Sequence, residues 1–189
     1  MEKKTDLRVE KTYLALRNAF TSLLEEKRFE DFTVNELCQR AMIRRTTFYK
    51  HFADKYEYFS FYTKEISSEF QKQLPSDAMS EDVNSYFLYM SRELLRFIAG
   101  HHRLVQNIAS SNMFPVLLDG LSEQIMHELL IVFRKTEAMN HLSNVQLEGL
   151  AAFYAGGLLT VLRRWFERGE PMDEEQFIQI IFEFTKQKI

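Results

Sequence analysis

Residues 33–59 read TVNELCQRAMIRRTTFYKHFADKYEYF, and this stretch carries the signals of two short helices, a tight connection and the start of a third helix. Thr33 followed by Glu36 forms a capping box, in which a hydroxyl and a carboxylate satisfy two backbone N–H groups at a helix start. Leu37 contributes an apolar side to that helix. The pattern predicts a short helix over about 34–41.

The next segment, about 45–52, has one apolar side and one side made of hydrogen-bond donors. Phe48 and Phe52 lie four residues apart and supply the apolar side. Arg can address guanine edges with two hydrogen bonds, Thr can contact bases, and Tyr, Lys and His suit phosphates. We therefore predict a helix-turn-helix that inserts one helix into the major groove of double-stranded DNA. The residues expected to contact DNA are Thr33, Arg44, Arg45, Thr46, Thr47, Tyr49, Lys50, His51 and Lys55.

Two further observations bear on this prediction. Asp54 is a good cap for the following helix and places Lys55 in its first turn, where a cation is unfavourable for the helix dipole. A DNA phosphate near that helix start would account for the cation. The alternative is an ordinary solvated basic surface, since basic helices with a tyrosine are common.

The same residues closely resemble the amino-terminal domain of the TetR family of bacterial transcription regulators. The family pattern has a Thr cap, a short helix, an Ala-Gly-Val turn, and a recognition helix ending in Tyr-x-His/Tyr-Phe before a Lys. The resemblance covers about residues 8–62, and the matching positions are Thr33, Ala41, Ile43, Phe48, Tyr49, His51, Phe52 and Lys55. The remaining two thirds of the chain match in length and helical character.

Two positions depart from the family pattern. Met42 stands where glycine is common in the turn, so a positive φ there would cost about 1 kcal/mol. Arg44 stands where a small capping residue is typical, and loss of that cap costs the helix about 1 kcal/mol. Arg44 adds a second cation to the edge of the recognition helix in exchange.

The charge of the chain is divided unevenly. Residues 1–64 hold 13 Lys and Arg against 10 Asp and Glu, a net of +3, and residues 65–189 hold 11 against 17, a net of −6. A basic amino-terminal part on an acidic body fits DNA binding in one orientation. Apolar runs fall far short of the ~20 residues of a membrane span. The start, MEKKTDLRVEK, lacks an apolar signal core, so we expect a cytoplasmic protein.

The sequence carries no pattern of an enzyme. Its single cysteine, Cys38, excludes an intramolecular disulfide and a CxxC metal site, and we expect it to be a small buried residue. The five histidines show no pairing on one helix face that would bind a metal. No nucleophile elbow, phosphate-binding glycine loop or placed carboxylate pair is present, so we predict neither catalysis nor a cofactor.

The periodicity of apolar residues predicts an all-α fold of about nine helices. A helix-turn-helix DNA-binding domain over 1–54 would precede a helical effector-binding and dimerisation domain over 55–189. The predicted helices cover about 9–26, 34–41, 45–52, 55–74, 81–99, 103–110, 115–135, 145–168 and 174–187.

The last two helices are the predicted dimer interface. The final helix is apolar on two sides, which indicates that both sides are covered. Mid-helix Gly156 and Gly157 cost about 1 kcal/mol each against alanine, and close approach of another helix would offset that cost. TetR-family regulators pair these helices in a two-fold dimer, which implies a palindromic operator. The expected interface residues are Tyr154, Gly157, Leu158, Val161, Trp165, Phe177, Ile181 and Phe184.

The middle helices are rich in aromatic residues and methionine. The family resemblance implies an effector pocket there, for a small apolar or aromatic molecule that releases a repressor from its operator. The expected lining residues are Phe61, Tyr62, Tyr86, Phe87, Met90, Phe97 and Phe114. The alternative function is a coactivator with the same fold that acts through a protein partner.

Overall fold

A computed structural model describes residues 7–73, 83–168 and 173–186 of the chain. Within these ranges the backbone forms nine α-helices and no β-strand, which confirms the predicted all-α fold. The helices are α1 Leu7–Glu26, α2 Val34–Arg40, α3 Arg45–Phe48, α4 Lys55–Gln73, α5 Val83–Gly100, α6 His102–Ala109, α7 Phe114–Lys135, α8 Asn144–Arg168 and α9 Glu174–Lys186.

Most helix ends lie within two residues of the sequence-based expectation, and α3 is the exception. It is a single turn that ends at Phe48, where the prediction extended to Phe52. The N–H of Lys50 bonds to the Thr47 carbonyl and the N–H of His51 to the Phe48 carbonyl, which are i→i+3 bonds, and the N–H of Phe52 also bonds to the Phe48 carbonyl. The segment up to Phe52 is therefore a series of turns and not a regular helix. The predicted ends at positions 74, 81 and 187 lie outside the described residues.

The chain divides into two compact units by its internal contacts. The first, here called the head unit, comprises the chain up to Glu65 together with His101–Leu117, and the second, the body unit, comprises Ile66–Gly100 and the chain from Leu118 onward. The head unit therefore contains α1, α2, α3, α6, the first part of α4 and the first residues of α7. The predicted boundary at residue 54 stays a prediction.

Aromatic rings form the core of the head unit. Phe20 of α1 is fully buried, and its ring centroid lies 4.9 Å from the ring of Tyr58 and 4.9 Å from that of Tyr62, both in α4. The edge-to-face arrangement of Phe20 and Tyr58 is a favourable one for aromatic pairs. These contacts fix the start of α4 against α1 and so position the short helices between them.

In the body unit, Tyr154 of α8 contacts three other helices. The Tyr154 ring packs edge-on against Phe87 of α5 at 4.8 Å and also contacts Phe133 of α7 and Phe184 of α9. Its hydroxyl donates to Asn84 Oδ1 over 3.2 Å. A buried tyrosine whose hydroxyl has a partner stabilises a core without an unsatisfied polar group.

Candidate nucleic-acid interface

The capping box at the start of α2 is confirmed in both directions. The N–H of Glu36 donates to Thr33 Oγ1 over 3.2 Å, and the N–H of Thr33 donates to Glu36 Oε2 over 2.8 Å. Ion pairs fix α2 against α1: Lys27 Nζ lies 2.7 Å from Glu36 Oε1, and Arg40 pairs with Glu26. The hydrogen bonds from Lys27 and from the Thr33 backbone lower the pKa of Glu36 to about 2.

In the turn between α2 and α3, the backbone adopts a positive φ at the position where glycine is common in the family. Met42 has φ of 54°, the one positive value at a non-glycine residue in the part of the chain that the structure describes. Its side chain is 92% exposed, so no packing compensates for the strain. The side chain of Arg44, the residue before α3, forms no capping hydrogen bond, as expected from its departure from the family pattern.

The α3 segment has the two sides that the sequence predicts. Phe48 and Phe52 are buried in the aromatic core of the head unit. The exposed side carries Arg44, Arg45, Thr46, Tyr49 and Lys50, with Thr47 half-buried. Five of the predicted DNA-contacting side chains therefore lie on solvent-accessible surface next to one another. Guanidinium, hydroxyl and ammonium donors at this density suit a groove edge and its phosphates.

Arg45 and Tyr49 form a pair on that surface. The Arg45 guanidinium carbon lies 5.8 Å from the centre of the Tyr49 ring, within the range of a cation–π contact. The Tyr49 ring is itself held edge-on against the buried Phe48 ring at 5.5 Å. This chain of contacts ties the orientation of an exposed arginine to the core.

His51 and Thr33 lie at the margin of this surface. His51 is half-buried, and its Nδ1 lies 3.4 Å from the Tyr13 hydroxyl, so α1 fixes the orientation of the ring. Thr33 is exposed but uses its hydroxyl in the capping box. DNA contacts by either residue stay predictions. In the structure, the His51 ring and the Thr33 hydroxyl each have a hydrogen-bond partner within the protein.

Lys55 is placed differently from the sequence-based expectation. Its ammonium group is half-buried and donates to backbone carbonyls of the connection between α1 and α2, where Phe29–Asp31 form a 3-10 turn. Burial lowers the pKa of Lys55. The proposed phosphate contact has no support in this placement, because the cation already has partners inside the head unit. Asp54, as predicted, caps α4 by accepting from the N–H groups of Tyr56 and Glu57, both over 2.8 Å.

The predicted pocket residues do not belong to one compact unit. Tyr62, Phe61 and Phe114 lie in the head unit, and the Tyr62 hydroxyl is bonded to that of Thr21 over 2.9 Å. The Phe61 ring contacts Tyr13 and Phe52, so it belongs to the head unit's core. The body unit holds the other four residues, Tyr86, Phe87, Met90 and Phe97.

The predicted dimer residues divide in a similar way. Tyr154, Leu158, Phe177 and Ile181 are buried within the protomer, which leaves little of their surface open to a second subunit. Their place in an interface stays a prediction. Gly157 and Phe184 are exposed, and Val161 and Trp165 are half-buried. The exposed surface of the two helices, which we call the outer face, also carries Gly156 and two apolar residues that were not among the expected interface residues, Phe153 and Ile180. Periodicity marks both sides of α9 as apolar, but it does not say which side faces the protomer.

Two polar residues that tie α6 to the rest of the head unit were also missed. Asn107 Nδ2 donates to the Leu24 carbonyl at the end of α1 over 2.7 Å. Glu30 Oε1 accepts from the N–H of Asn112 over 2.6 Å. Both bonds join positions more than 80 residues apart, and no local pattern in the sequence marks them. Cys38 is buried as expected, and burial raises the pKa of its thiol.

Comparison with known proteins identifies the family. The TetR family model described as "Transcriptional regulator C-terminal region" matches residues 85–187, which is more than half of the chain. The chain therefore belongs to the TetR family of transcription regulators, which are non-enzymatic proteins that bind DNA. The "Uncharacterized HTH-type transcriptional regulator YxbF" of Bacillus subtilis (strain 168) is 42% identical over 57 residues; the match covers 30% of this chain and 15% of that protein.

Solved structures of TetR-family regulators share the fold. One from Syntrophomonas wolfei str. Goettingen has a TM-score of 0.70 at 15% identity, with 94% of each chain covered. One from Pectobacterium atrosepticum has a TM-score of 0.67 at 18% identity, covering 97% of this chain and 94% of that chain. FadR from Bacillus subtilis, solved in complex with stearoyl-CoA, has a TM-score of 0.67 at 14% identity. The match covers 94% of this chain and 99% of that chain.

Proposed function

We propose that this TetR-family regulator is a homodimeric, cytoplasmic repressor that binds a palindromic operator and is released by a small apolar or aromatic effector. The observation that carries the proposal is the exposed donor surface of α3, mounted on buried Phe48 and Phe52. Arg45 is the residue best placed to read a base, because Tyr49 restrains its guanidinium. Arg44, Thr46, Thr47, Tyr49 and Lys50 would supply the remaining contacts.

The outer face of α8 and α9 supports the homodimer. Phe153 is 58% exposed and Ile180 is 53% exposed, which leaves large apolar area open to solvent. A Cβ added at Gly156 or Gly157 would meet no atom within 4 Å among the described residues, so no contact inside the protomer requires these glycines. A helix of a second subunit lying against them would account for both the glycines and the apolar side chains.

The hydropathy of α8 fits the same role. Among the described residues, α8 is the one helix with the length and composition of a membrane span, and core helices can have the same properties. Only 39% of the most apolar 18-residue stretch of α8 is buried within the protomer. A symmetric partner would cover the remaining apolar surface without any membrane.

The proposed effector is apolar because the predicted pocket residues in the body unit are apolar or aromatic. Tyr86, Phe87 and Met90 of α5 are buried there. Burial and the charge of Glu128 raise the pKa of Tyr86 to about 12. Two proteins of the same fold are described in terms of fatty acids: FadR in complex with stearoyl-CoA, and a fatty acid metabolism regulator of Clostridium perfringens. An effector must bind the state with low operator affinity more tightly to cause release.

The test is capture and sequencing of DNA retained by the purified protein from sheared DNA of its own source. The wild-type protein is expected to enrich one or a few near-palindromic sequences. Arg45→Ala is expected to lose about 1–3 kcal/mol of operator binding. Arg134→Ala, which removes an exposed arginine of α7, is the matched control and is expected to retain the enrichment. Equal enrichment by wild type and Arg45→Ala would contradict the assignment of the reading helix.

The coactivator alternative predicts a different result in the same experiment. A protein that acts through a partner would enrich no sequence at moderate salt. A repressor's DNA affinity would instead fall steeply with salt, because each neutralised phosphate releases counterions.

A further inference from the structure

The ammonium group of Lys55 is enclosed by the connection between α1 and α2. Lys55 Nζ lies 2.8 Å from the Phe29 carbonyl oxygen, 2.8 Å from that of Phe32 and 3.4 Å from that of Glu30. It also lies 4.5 Å from the centre of the Phe29 ring and 5.2 Å from that of the Phe32 ring. Phe29 and Phe32 are themselves buried.

This environment uses the full donor capacity of a lysine. An ammonium group has three N–H donors, and three carbonyl oxygens lie within 3.5 Å of this one. Hydrogen bonds to a charged donor are stronger than those between neutral groups, and the ring faces add cation–π attraction. A phosphate contact by Lys55 would first require these bonds to break.

The connection between α1 and α2, which encloses Lys55, is itself hydrogen-bonded to the α6 region. Glu30, in the middle of the 3-10 turn, accepts from the backbone of Asn112 after α6. Asn107 of α6 donates to the carbonyl of Leu24 at the end of α1. Lys55 therefore fastens the first residue of α4 to a segment that is fixed to both α1 and α6.

We propose that Lys55 is a positioning residue, which locks the start of α4 to the α1–α2 connection and thereby sets the position of α3, and that it forms no contact with DNA phosphate. Only six residues separate the end of α3 at Phe48 from Lys55. A fixed start of α4 consequently restrains where the donor surface of α3 lies. This inference rests on the proposed DNA binding, and it departs from the role that the family resemblance assigns to this lysine.

Salt dependence of DNA binding separates the two roles of the residue. A lysine that neutralises a phosphate contributes about 0.9 to the slope of log affinity against log salt concentration. A lysine that only positions the reading helix contributes affinity without contributing to that slope.

The variants are Lys55→Met, Lys55→Arg and, as the matched phosphate-contact control, Lys50→Met, whose lysine is exposed on α3. Binding to the captured operator is measured by fluorescence anisotropy from low to moderate salt. Lys50→Met is expected to lower the slope by about 1. Lys55→Met is expected to lower affinity by about tenfold with an unchanged slope, which corresponds to about 1.4 kcal/mol. Lys55→Arg is expected not to restore affinity, because a planar guanidinium does not fit three converging carbonyls.

A slope reduced by about 0.9 in Lys55→Met, together with full recovery in Lys55→Arg, would overturn the proposal. Circular dichroism of each variant shows whether it is folded. A second measurement does not depend on DNA binding by any variant. It is the NMR signal of the Lys55 ammonium group (¹⁵N–¹H) in the wild-type protein, which is assigned by its loss in Lys55→Arg. Slow proton exchange of that signal without DNA and no shift upon DNA addition are expected. Fast exchange in the free protein would overturn the enclosure itself, even if the protein bound no DNA and the proposed function failed.

Discussion

Met42 is strained by its own backbone, and this has a measurable cost in stability. A side chain at φ of 54° costs about 1 kcal/mol relative to glycine, and the exposed Met42 side chain gains no packing in return. We predict that Met42→Gly raises the free energy of unfolding by about 1 kcal/mol in urea denaturation. Met42→Ala keeps the Cβ and is expected to match the wild type, so equal stabilisation by both would show that backbone strain is not the cause.

Glu36 gives the fold an acid dependence. Its pKa in the folded protein is about 2, against an ordinary value of 4.5, so its ionised form stabilises the fold. This contribution is complete above pH 4.5 and is lost as the pH falls toward 2. We predict that the difference in unfolding free energy between wild type and Glu36→Gln shrinks as the pH falls from 5 to 2. Glu148→Gln, on the exposed side of α8, is the control and is expected to show the wild-type loss of stability with acid.

At the scale of elements, local signals made α2 and the α3 segment predictable from the sequence. The capping box of Thr33 and Glu36, and the i, i+4 pair of Phe48 and Phe52, each act over one turn of helix and are found in the structure. The role of Lys55 could not be predicted in this way, because its partners are backbone carbonyls 23–26 residues away. Every residue has a carbonyl, so such a contact leaves no trace in the pattern of side chains.

The Arg45 and Tyr49 pair makes a prediction about the specificity of α3. Tyr49→Phe keeps the ring beside Arg45 and is expected to retain discrimination at the base pair that Arg45 is proposed to read, while losing any contact of the hydroxyl. Tyr49→Leu is expected to lose about 0.5–1 kcal/mol of that discrimination, the usual strength of an exposed cation–π contact. The discrimination of each variant is measured by competition binding with operators changed at single base pairs. Equal discrimination by both variants would show that Tyr49 does not orient Arg45.

At the scale of the whole molecule, the sequence predicted which helices are apolar but not which of their residues are inside. Tyr154 and Phe177 look like interface residues in the sequence because aromatic side chains favour interfaces and cores alike. In the structure they complete the core of the body unit. The aromatic residues predicted to line a single pocket were similarly divided between two units, since ring content carries no information about long-range contacts.

The outer face of α8 and α9 predicts how the proposed dimer can be broken. Ile180→Lys places a charge on the exposed apolar surface and is expected to weaken dimerisation at least about tenfold, measured by sedimentation over a dilution series. Leu14→Lys, on α1 of the head unit, changes a residue of similar exposure and is expected to leave the dimer intact. An Ile180→Lys protein that dimerises as tightly as the wild type would place the subunit contact elsewhere.

The head unit is discontinuous along the chain, and this affects how the protein is made. The carbonyl of Leu24 finds its partner in Asn107, and Glu30 finds the backbone of Asn112. A ribosome must therefore synthesise more than 80 further residues before these two hydrogen bonds of the head unit can form. Until α6 leaves the exit tunnel, α1 to α4 lack these two hydrogen bonds, so the head unit is complete only after α6 has been synthesised.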